Sequence, residues 1–408
     1  MKKLYLGVFL VLILLINVGT LTIAISQKDS IDQVTYIQSE SDGYTIQWMK
    51  EYGMSPWSDA RYQGPQPIGD SDNDGENELL ISGRDAALRV MEWDEAEQTY
   101  VETFTLRPPL YPFVNCDAGG MAIGDVTNDG ENEIAATWYT TVYKYMSSSY
   151  RIIGLNPYIF FNNGGSADCY IGDCNNDGEN ELILGGGQLR RRSSPVGEIT
   201  VFKWNGLYLE RISEWNDPDV DGYAYMPGVG DVDYDGENEI VCAYAEKVVV
   251  LNWNGQQDAF IPTEIQRPSP LSDYPFGIVC KDCDNDGKDE ILLSYYDPRI
   301  SIFKYDGEKY DVQYDITWPE GEPVIEGIDV GDTDDDGYNE VAAGAGKTHI
   351  LQWNGSTYVE EAVLPTFGWM AVVCIGDCDN DGKNEINAGN VDVETGKQYT
   401  EWVFKYKE

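Results

Sequence analysis

The stretch GDSDNDGENELLISG, residues 69–83, places acidic residues at alternating positions and follows them with a glycine. Asp70, Asp72 and Asp74 alternate, Gly75 comes next, and Glu78 is the ninth residue counted from Asp70. Like charges this close repel one another unless a cation offsets them. Hard cations such as Ca²⁺ take about six to eight oxygen ligands, and a glycine permits the sharp turn that brings the backbone round them. The stretch therefore predicts a calcium-binding loop.

The pattern occurs seven times in the chain. The copies begin at Asp70, Asp125, Asp173, Asp231, Asp282, Asp332 and Asp377, which are 55, 48, 58, 51, 50 and 45 residues apart. We number each copy from position 1, the first aspartate, to position 9, a glutamate, and call the copies loops 1 to 7. These windows hold 32 of the 71 acidic residues, a concentration that favours cation sites over a solvated acidic face. A period of about 50 residues indicates a repeat architecture.

Positions 1, 3, 5 and 9 are the predicted calcium ligands of the loops. They are Asp70, Asp72, Asp74 and Glu78; Asp125, Asp129 and Glu133; Asp173, Asn175, Asp177 and Glu181; Asp231, Asp233, Asp235 and Glu239; Asp282, Asp284, Asp286 and Glu290; Asp332, Asp334, Asp336 and Glu340; and Asp377, Asp379, Asp381 and Glu385. Up to seven ions are expected. Loop 2, residues 125–133, is predicted to be the weakest site because Thr127 replaces the central aspartate.

Two other interpretations of the loops are weaker. An EF-hand needs a glutamate at its twelfth position and flanking helices, but Ile81 stands there in loop 1. A simple Asp-Gly hairpin turn needs one aspartate before its glycine and does not need three spaced carboxylates.

The residues around each loop have the pattern of short β-strands. An apolar run precedes the loop, a second follows it, and a third alternates before a two-residue turn that leads to a fourth. Those turns are Asn205-Gly206, Asn254-Gly255, Asp306-Gly307 and Asn354-Gly355, a strong hairpin signal. Four strands in about 50 residues, repeated seven times without a helical period, predict an all-β fold: a seven-bladed β-propeller of four-stranded blades.

The ends of the repeat array predict how the ring closes. The last repeat has a third strand at residues 399–406 but no fourth, whereas residues 42–48 have the pattern of a fourth strand. The N-terminal strand is therefore expected to complete the final blade, which removes two exposed sheet edges. The propeller would span residues 43–408. A linear solenoid with capped ends is the alternative, and it leaves this match unexplained.

The loops resemble the FG-GAP or VCBS repeat, the unit of the integrin α-chain N-terminal propeller. The resemblance covers nearly all of residues 43–408, and the Phe-Gly of the family is present at residues 276–277 and 367–368. Lys281 departs from the pattern by replacing the glycine that leads the other loops, and position 9 is always Glu where Asp is also common. The resemblance implies an integrin-like, calcium-binding propeller of the cell surface or extracellular space.

The N-terminal 26 residues predict export. Lys2 and Lys3 precede 22 uncharged residues, 4–25, which fits either a signal peptide or an N-terminal membrane anchor. Residues 27–42 would be a polar tether, and the membrane would be contacted only through an uncleaved N-terminal segment. An extracellular or cell-surface location follows. The net charge of −44 argues against nucleic acid as a partner, since phosphate binding needs clustered Lys and Arg.

The eight cysteines fit an exported chain, in which disulfides persist. Three pairs are close in sequence: Cys169 with Cys174, Cys280 with Cys283, and Cys374 with Cys378. Residues four apart in a strand lie too far apart for a disulfide, so cross-blade pairing and free buried thiols both stay open. A zinc site at the Cys280–Cys283 pair is disfavoured because the chain has no second such pair and only one histidine.

The face opposite the acidic loops is the predicted partner surface. Aromatic residues and arginine are enriched where proteins bind partners, and the candidates are Trp57, Trp138, Tyr139, Arg190, Arg191, Arg192, Tyr295, Tyr296 and Trp369. Many of them could instead pack between blades. The favoured function is a non-enzymatic binding or adhesion module for a protein or glycan. The alternatives are a calcium-dependent polysaccharide-active enzyme, similar to a lyase, and a structural subunit of a surface complex.

Overall fold

Each of the first six sequence repeats folds into one four-stranded antiparallel sheet, and the seventh contributes three strands to such a sheet. In the computed structural model, the residues that can be described are 43–53, 66–82, 87–112, 120–156, 164–188, 196–216, 224, 226–244, 247–265, 275–324, 326–391 and 398–407. These residues contain strands, turns and irregular segments but no α-helix, and hence no helix able to cross a membrane. The N-terminal segment 1–26 and the tether 27–42 lie outside them.

The first three blades consist of strands β2–β5, β6–β9 and β10–β13. Blade 1 contains β2 (Ile68–Gly69), β3 (Glu78–Ser82), β4 (Leu88–Asp94) and β5 (Thr99–Leu106). Blade 2 contains β6 (Met121–Gly124), β7 (Glu133–Ala136), β8 (Thr141–Met146) and β9 (Ser149–Leu155). Blade 3 contains β10 (Gly164–Gly172), β11 (Glu181–Gln188), β12 (Val196–Trp204) and β13 (Leu209–Asn216).

The next three blades repeat this order. Blade 4 contains β14 (Gly228–Gly230), β15 (Glu239–Tyr244), β16 (Lys247–Asn254) and β17 (Ala259–Ile265). Blade 5 contains β18 (Pro275–Lys281), β19 (Glu290–Tyr295), β20 (Asp297–Tyr305) and β21 (Tyr310–Thr317). Blade 6 contains β22 (Ile328–Gly331), β23 (Glu340–Gly344), β24 (Thr348–Trp353) and β25 (Tyr358–Leu364).

The seventh blade joins the two ends of the propeller. Its strands are β26 (Trp369–Gly376), β27 (Glu385–Val391), β28 (Gln398–Tyr406) and the first strand of the chain, β1 (Tyr44–Gly53). Strand β1 pairs antiparallel with β28, from Tyr44 opposite Tyr406 to Gly53 opposite Gln398. The predicted all-β, seven-bladed propeller, closed by its N-terminal strand, is confirmed, and the solenoid alternative is excluded.

The hydrophobic core lies between neighbouring blades. Ile183 and Val201 of blade 3 pack with Ile240 and Leu251 of blade 4 in one buried cluster. Equivalent clusters join the other neighbouring blades. Alternate side chains of each strand point to opposite faces of its sheet, so each sheet can pack against a neighbour on both faces. At the closing junction, Trp48 of β1 packs with residues of blade 1, and its ring meets Tyr100 edge-on at 5.6 Å between ring centroids.

Trp48 should therefore carry much of the stability of the closed ring. Trp48 is 3% exposed, and a Trp→Ala change in a core typically costs about 3–5 kcal/mol. We expect Trp48→Ala to lower the free energy of unfolding by about that amount, measured by urea denaturation followed by circular dichroism. The control is Glu51→Ala, an exposed position on the same strand, which should change stability by less than about 0.5 kcal/mol. Equal effects of the two changes would contradict a closing role for β1.

Candidate functional site

All seven acidic loops join the first strand of a blade to its second strand. Because the blades share one topology, the loops lie at the same end of their sheets, together with the hairpin turns between the third and fourth strands. In each loop the position 1 aspartate accepts a hydrogen bond from the backbone N–H of the position 6 glycine. These seven N···O distances are 2.8–3.0 Å, and each of the seven glycines has a φ between 84° and 98°.

The position 9 glutamate fixes each loop to its second strand. One of its carboxylate oxygens accepts the backbone N–H of position 2 at 2.7–3.2 Å in all seven loops. All seven glutamates are buried, with exposures of 0–2%. A buried carboxylate is expensive to ionise unless it is hydrogen-bonded and matched by positive charge. The loops therefore hold their glutamates at a point where a positive charge would stabilise the ionised carboxylate.

The carboxylates of most loops converge on a small volume. In at least five loops, candidate ligand atoms lie within 4.8 Å of one another. These sets include Asp70, Asp72, Asp74 and Glu78; Asp125, Asp129 and Glu133; Asp231, Asp233 and Glu239; Asp282, Asp284 and Glu290; and Asp332, Asp334 and Asp336. In loop 4, Asp231 Oδ1 is enclosed and has no hydrogen-bond partner. Hard oxygen donors and an enclosed, unpartnered oxygen fit a Ca²⁺ ion, which these residues would hold.

Burial and mutual repulsion raise the pKa values of several loop carboxyls. Burial, followed by the nearby carboxylates, raises the pKa of Asp72 to about 6, of Glu78 to about 7 and of Glu239 to about 8. The pKa of Glu340 is likewise raised to about 7, chiefly by burial. A carboxylate cluster with raised pKa values favours the bound form of a cation, because the cation stabilises the ionised groups.

In four loops a lysine ammonium already lies against the carboxylates. Lys144 contacts Asp129 at 2.6 Å and Glu133 at 2.8 Å, and Lys203 contacts Asp177 at 2.5 Å. Lys304 and Lys405 occupy the same place in loops 5 and 7. Although burial lowers the pKa of Lys144, its hydrogen bonds to acidic groups raise it overall, so the ammonium stays charged.

Asparagines connect most loops to the next loop around the ring. The side-chain amide of Asn73, at position 4 of loop 1, donates to the carbonyl of Asn132 at 3.1 Å and accepts the N–H of Asn132 at 2.7 Å. Asn132, at position 8 of loop 2, donates in turn to the carbonyl of Asp70 at 2.8 Å. The same three bonds join loops 2–3, 3–4, 5–6 and 7–1.

The two remaining loop junctions use other contacts. Between loops 6 and 7, Asn384 donates to the carbonyl of Asp332 at 2.8 Å, and Lys383 pairs with Asp335 at 3.2 Å. Between loops 4 and 5, Lys288 lies over the ring of Tyr234 at 4.5 Å. Sequence reasoning missed this network, although asparagine recurs at positions 4 and 8. Position 4 has a positive φ in every loop, from 57° to 66°, a conformation in which asparagine is enriched.

Two substitutions of Asn73 separate the hydrogen bonds from the backbone conformation. Asn73→Gly loses both side-chain bonds but tolerates the φ of 65°, so we expect it to cost about 1–2 kcal/mol. Asn73→Ala should cost roughly 1 kcal/mol more, because a side chain disfavours the left-handed region. Urea unfolding of the three proteins measures both differences. Equal stability of wild type and Asn73→Gly would show that the inter-loop bonds contribute nothing.

The predicted partner residues divide into buried and surface groups. Trp138 and Tyr295 are each only 2% exposed and belong to inter-blade clusters; this is a correction, because their side chains point into the core and offer no surface to a partner. Tyr139 and Trp369 are half-buried, and Tyr296 is 45% exposed. Trp57, Arg190, Arg191 and Arg192 lie outside the described residues.

Tyr296 and Trp369 meet on the face opposite the acidic loops. Their ring centroids are 5.7 Å apart, edge to face, and Trp369 Nε1 donates to Glu322 at 2.9 Å. Phe367, 48% exposed, lies two residues from Trp369. Tyr296 follows a second strand, Phe367 precedes a first strand and Trp369 begins it, so all three lie at the blade ends remote from the acidic loops. We call Tyr296, Phe367 and Trp369 the aromatic patch.

The described cysteines and the single histidine are held in packing and hydrogen-bond contacts within the fold. The seven cysteines among the described residues are all unpaired and buried, which selects free thiols over cross-blade disulfides for them; Cys116 lies outside this part of the chain. Burial, first of all, raises the pKa values of Cys280 and Cys283 well above the usual range. His349 lies 5.0 Å from the Trp318 ring and bonds to Glu360 at 2.7 Å.

The fold and the loops define a class of protein: a seven-bladed β-propeller with an acidic loop in every blade. No protein-family model matches the chain, and no curated protein matches its sequence. The FG-GAP and integrin resemblance therefore depends on the loop motifs themselves.

Solved structures resemble the chain in fold. The crystal structure of BBS1N in complex with ARL6DN, soaked with lead, has a TM-score of 0.55 at 11% identity and covers 88% of this chain and 97% of that chain. The mercury-soaked crystal of the same complex has a TM-score of 0.55 at 13% identity, with 90% and 98% covered. Neither is an integrin, and at these identities the likeness concerns the fold alone.

Proposed function

We propose that this chain is an exported, calcium-stabilised β-propeller that acts as a non-enzymatic binding or adhesion module. Calcium bound at the acidic loops would stabilise one end of the ring, and a partner would bind at the opposite end. The observation that carries the proposal is the convergence of loop carboxylates within 4.8 Å of one another. An N-terminal segment of 22 uncharged residues after two lysines supports export.

Calcium would supply positive charge to the clustered loop carboxylates. The buried glutamates and their neighbouring aspartates are ionised most easily when a divalent cation is bound. Since the loops are linked to one another by the asparagine hydrogen bonds, an ion that orders one loop would also support the next. Calcium would therefore stabilise the ring without taking part in a reaction.

A protein is the partner class we favour over a glycan. The aromatic patch presents exposed rings of the kind that dominate protein interfaces, and Leu110 and Tyr111, 59% and 47% exposed, precede another first strand at the same end of the blades. The BBS1N chains of similar fold are in complex with a protein. A glycan could stack on the same rings and stays the alternative ligand; the polysaccharide-active enzyme and the structural subunit stay the alternative functions.

A calcium titration tests the metal part of the proposal. The protein, stripped with a chelator, should bind Ca²⁺ in isothermal titration calorimetry, and its melting temperature should rise with free Ca²⁺ because the ion binds the folded state. Asp72→Asn with Glu78→Gln, the isosteric neutral changes in loop 1, should reduce the binding stoichiometry by one. No heat of binding and no shift in melting temperature would refute the calcium assignment.

Two assays on the same preparation test the binding part. We expect no turnover in a polyuronate-cleavage assay with Ca²⁺ present; turnover would overturn the non-enzymatic assignment. On a glycan array we expect no glycan binding that depends on the aromatic patch. Any signal from the wild type should therefore persist in the double variant Tyr296→Ala and Trp369→Ala. Glycan capture that depends on these two residues would instead make the ligand a sugar. Tyr208→Ala, an exposed aromatic residue near the Asn205–Gly206 turn, is the matched control at the other end.

A further inference from the structure

One position on the third strand of every blade faces the position 9 glutamate of the same blade. In blade 6 the structure pairs Glu340 directly with Gln352. In the other six blades the residue that faces the glutamate is found by extending the strand pairing by one residue. In blade 3, for example, Leu182 pairs with Phe202, so Glu181 faces Lys203. We call this place the facing position. In blades 1 to 7 it is occupied by Glu92, Lys144, Lys203, Asn252, Lys304, Gln352 and Lys405.

In blades 2, 3, 5 and 7 the facing position is a lysine whose ammonium lies among the loop carboxylates. Lys144 contacts the acidic groups at positions 5, 7 and 9 at 2.6, 3.1 and 2.8 Å, and Lys203 contacts the same three at 2.5, 3.0 and 3.4 Å. Lys304 contacts positions 3, 5 and 9 at 2.5, 2.8 and 2.7 Å. Lys405 pairs with position 3 and lies 2.7 and 3.0 Å from positions 5 and 9.

These four lysines are held in place rather than extended into solvent. Their side chains are 11–24% exposed, and each ammonium meets three carboxylates at once. Such an ammonium occupies the hydrogen-bonding capacity of oxygens that would otherwise ligate a metal. It also repels a divalent cation bound a few ångströms away.

In blades 1, 4 and 6 the facing position carries no positive charge. Asn252 donates to Asp233 at 3.3 Å, and Gln352 donates to Asp336 at 3.2 Å and to Glu340 at 3.1 Å. Glu92 adds another negative group, one that acts on Asp72.

We propose that the facing position divides the seven loops into two classes. Loops 1, 4 and 6 take a divalent cation, whereas loops 2, 3, 5 and 7 hold a lysine ammonium as an internal counter-ion in its place. This inference rests on the proposed calcium binding and restricts it to three strong sites. Loops 1, 5 and 7 have the same predicted ligands, but only loops 5 and 7 have a lysine at the facing position. The proposal therefore predicts strong calcium binding at loop 1 and not at loops 5 and 7.

The binding stoichiometry tests the division first. Calorimetric titration of the chelator-stripped protein with CaCl₂ should give three strong sites, with any binding at the other four at least about 100-fold weaker because of the ammonium. Seven sites of similar affinity, or sites that follow the ligand count alone and so include loops 5 and 7, would overturn the proposal.

Exchanges at the facing position test its cause. Gln352→Lys should remove one strong site, and the matched control Gln352→Glu, which copies blade 1, should keep three. Lys304→Gln, which copies blade 6, should add a fourth strong site. Unchanged stoichiometry in both Gln352→Lys and Lys304→Gln would contradict the proposal. The Gln352 variants suffice if Lys304→Gln does not fold.

Melting temperatures in excess chelator provide a readout that needs no bound metal. Without divalent cations, Gln352→Lys should melt above wild type and Gln352→Glu below it, because the ammonium offsets the loop charge. In excess Ca²⁺ the advantage of Gln352→Lys should shrink or reverse. Absence of calcium binding by wild type would refute the proposed function and this inference together. If wild type binds seven ions and the facing-position variants bind the same number, only this inference is refuted.

Discussion

The rest of the structure depends on the hydrogen bond that the buried glutamate at the end of each acidic loop accepts from the backbone at the start of that loop. The carboxylate of this glutamate accepts a backbone N–H at the start of the loop, while its own backbone begins the second strand. The same side chain faces the third strand across the sheet. Loop, second strand and third strand are therefore positioned around one negative charge. A buried carboxylate costs several kcal/mol unless it is compensated, so a positive charge at this point would stabilise each blade.

The overall fold could be predicted because its signals are local and repeated. The loop motif, the Asn-Gly turns and the alternating strands recur in each blade, and the strand missing from the last repeat matched residues 42–48. The spacing of Asp70, Asp72 and Asp74 likewise predicted a cluster of carboxylates, and these side chains do lie within 4.8 Å of one another. Repetition made these inferences strong, since a chance match would not recur seven times.

Features that depend on contacts between distant residues could not be predicted in the same way. The partners Asn73 and Asn132 are 59 residues apart, and only the geometry of neighbouring blades brings them together. The facing position depends on the register between the second and third strands, such as Leu182 opposite Phe202, and that register is known only once the two strands are paired. The prediction that Trp138 and Tyr295 lie on the partner surface was wrong. The alternation of polar and apolar residues stops near the end of a strand, so the sequence there does not indicate to which face a side chain points.

The pairing of β1 with β28 has a consequence for how the chain reaches its native state. The side chain of Thr45 bonds to the carbonyl of Lys405, 360 residues along the chain. Contacts of such sequence separation are formed late, because the entropy of closing the loop is lost before the contact contributes. During synthesis, blade 1 would be complete long before its neighbour across the closing junction exists. Until then, the apolar faces of Leu79 and Ile81 are open to solvent, and the ribosome-bound chain is at its most vulnerable to aggregation.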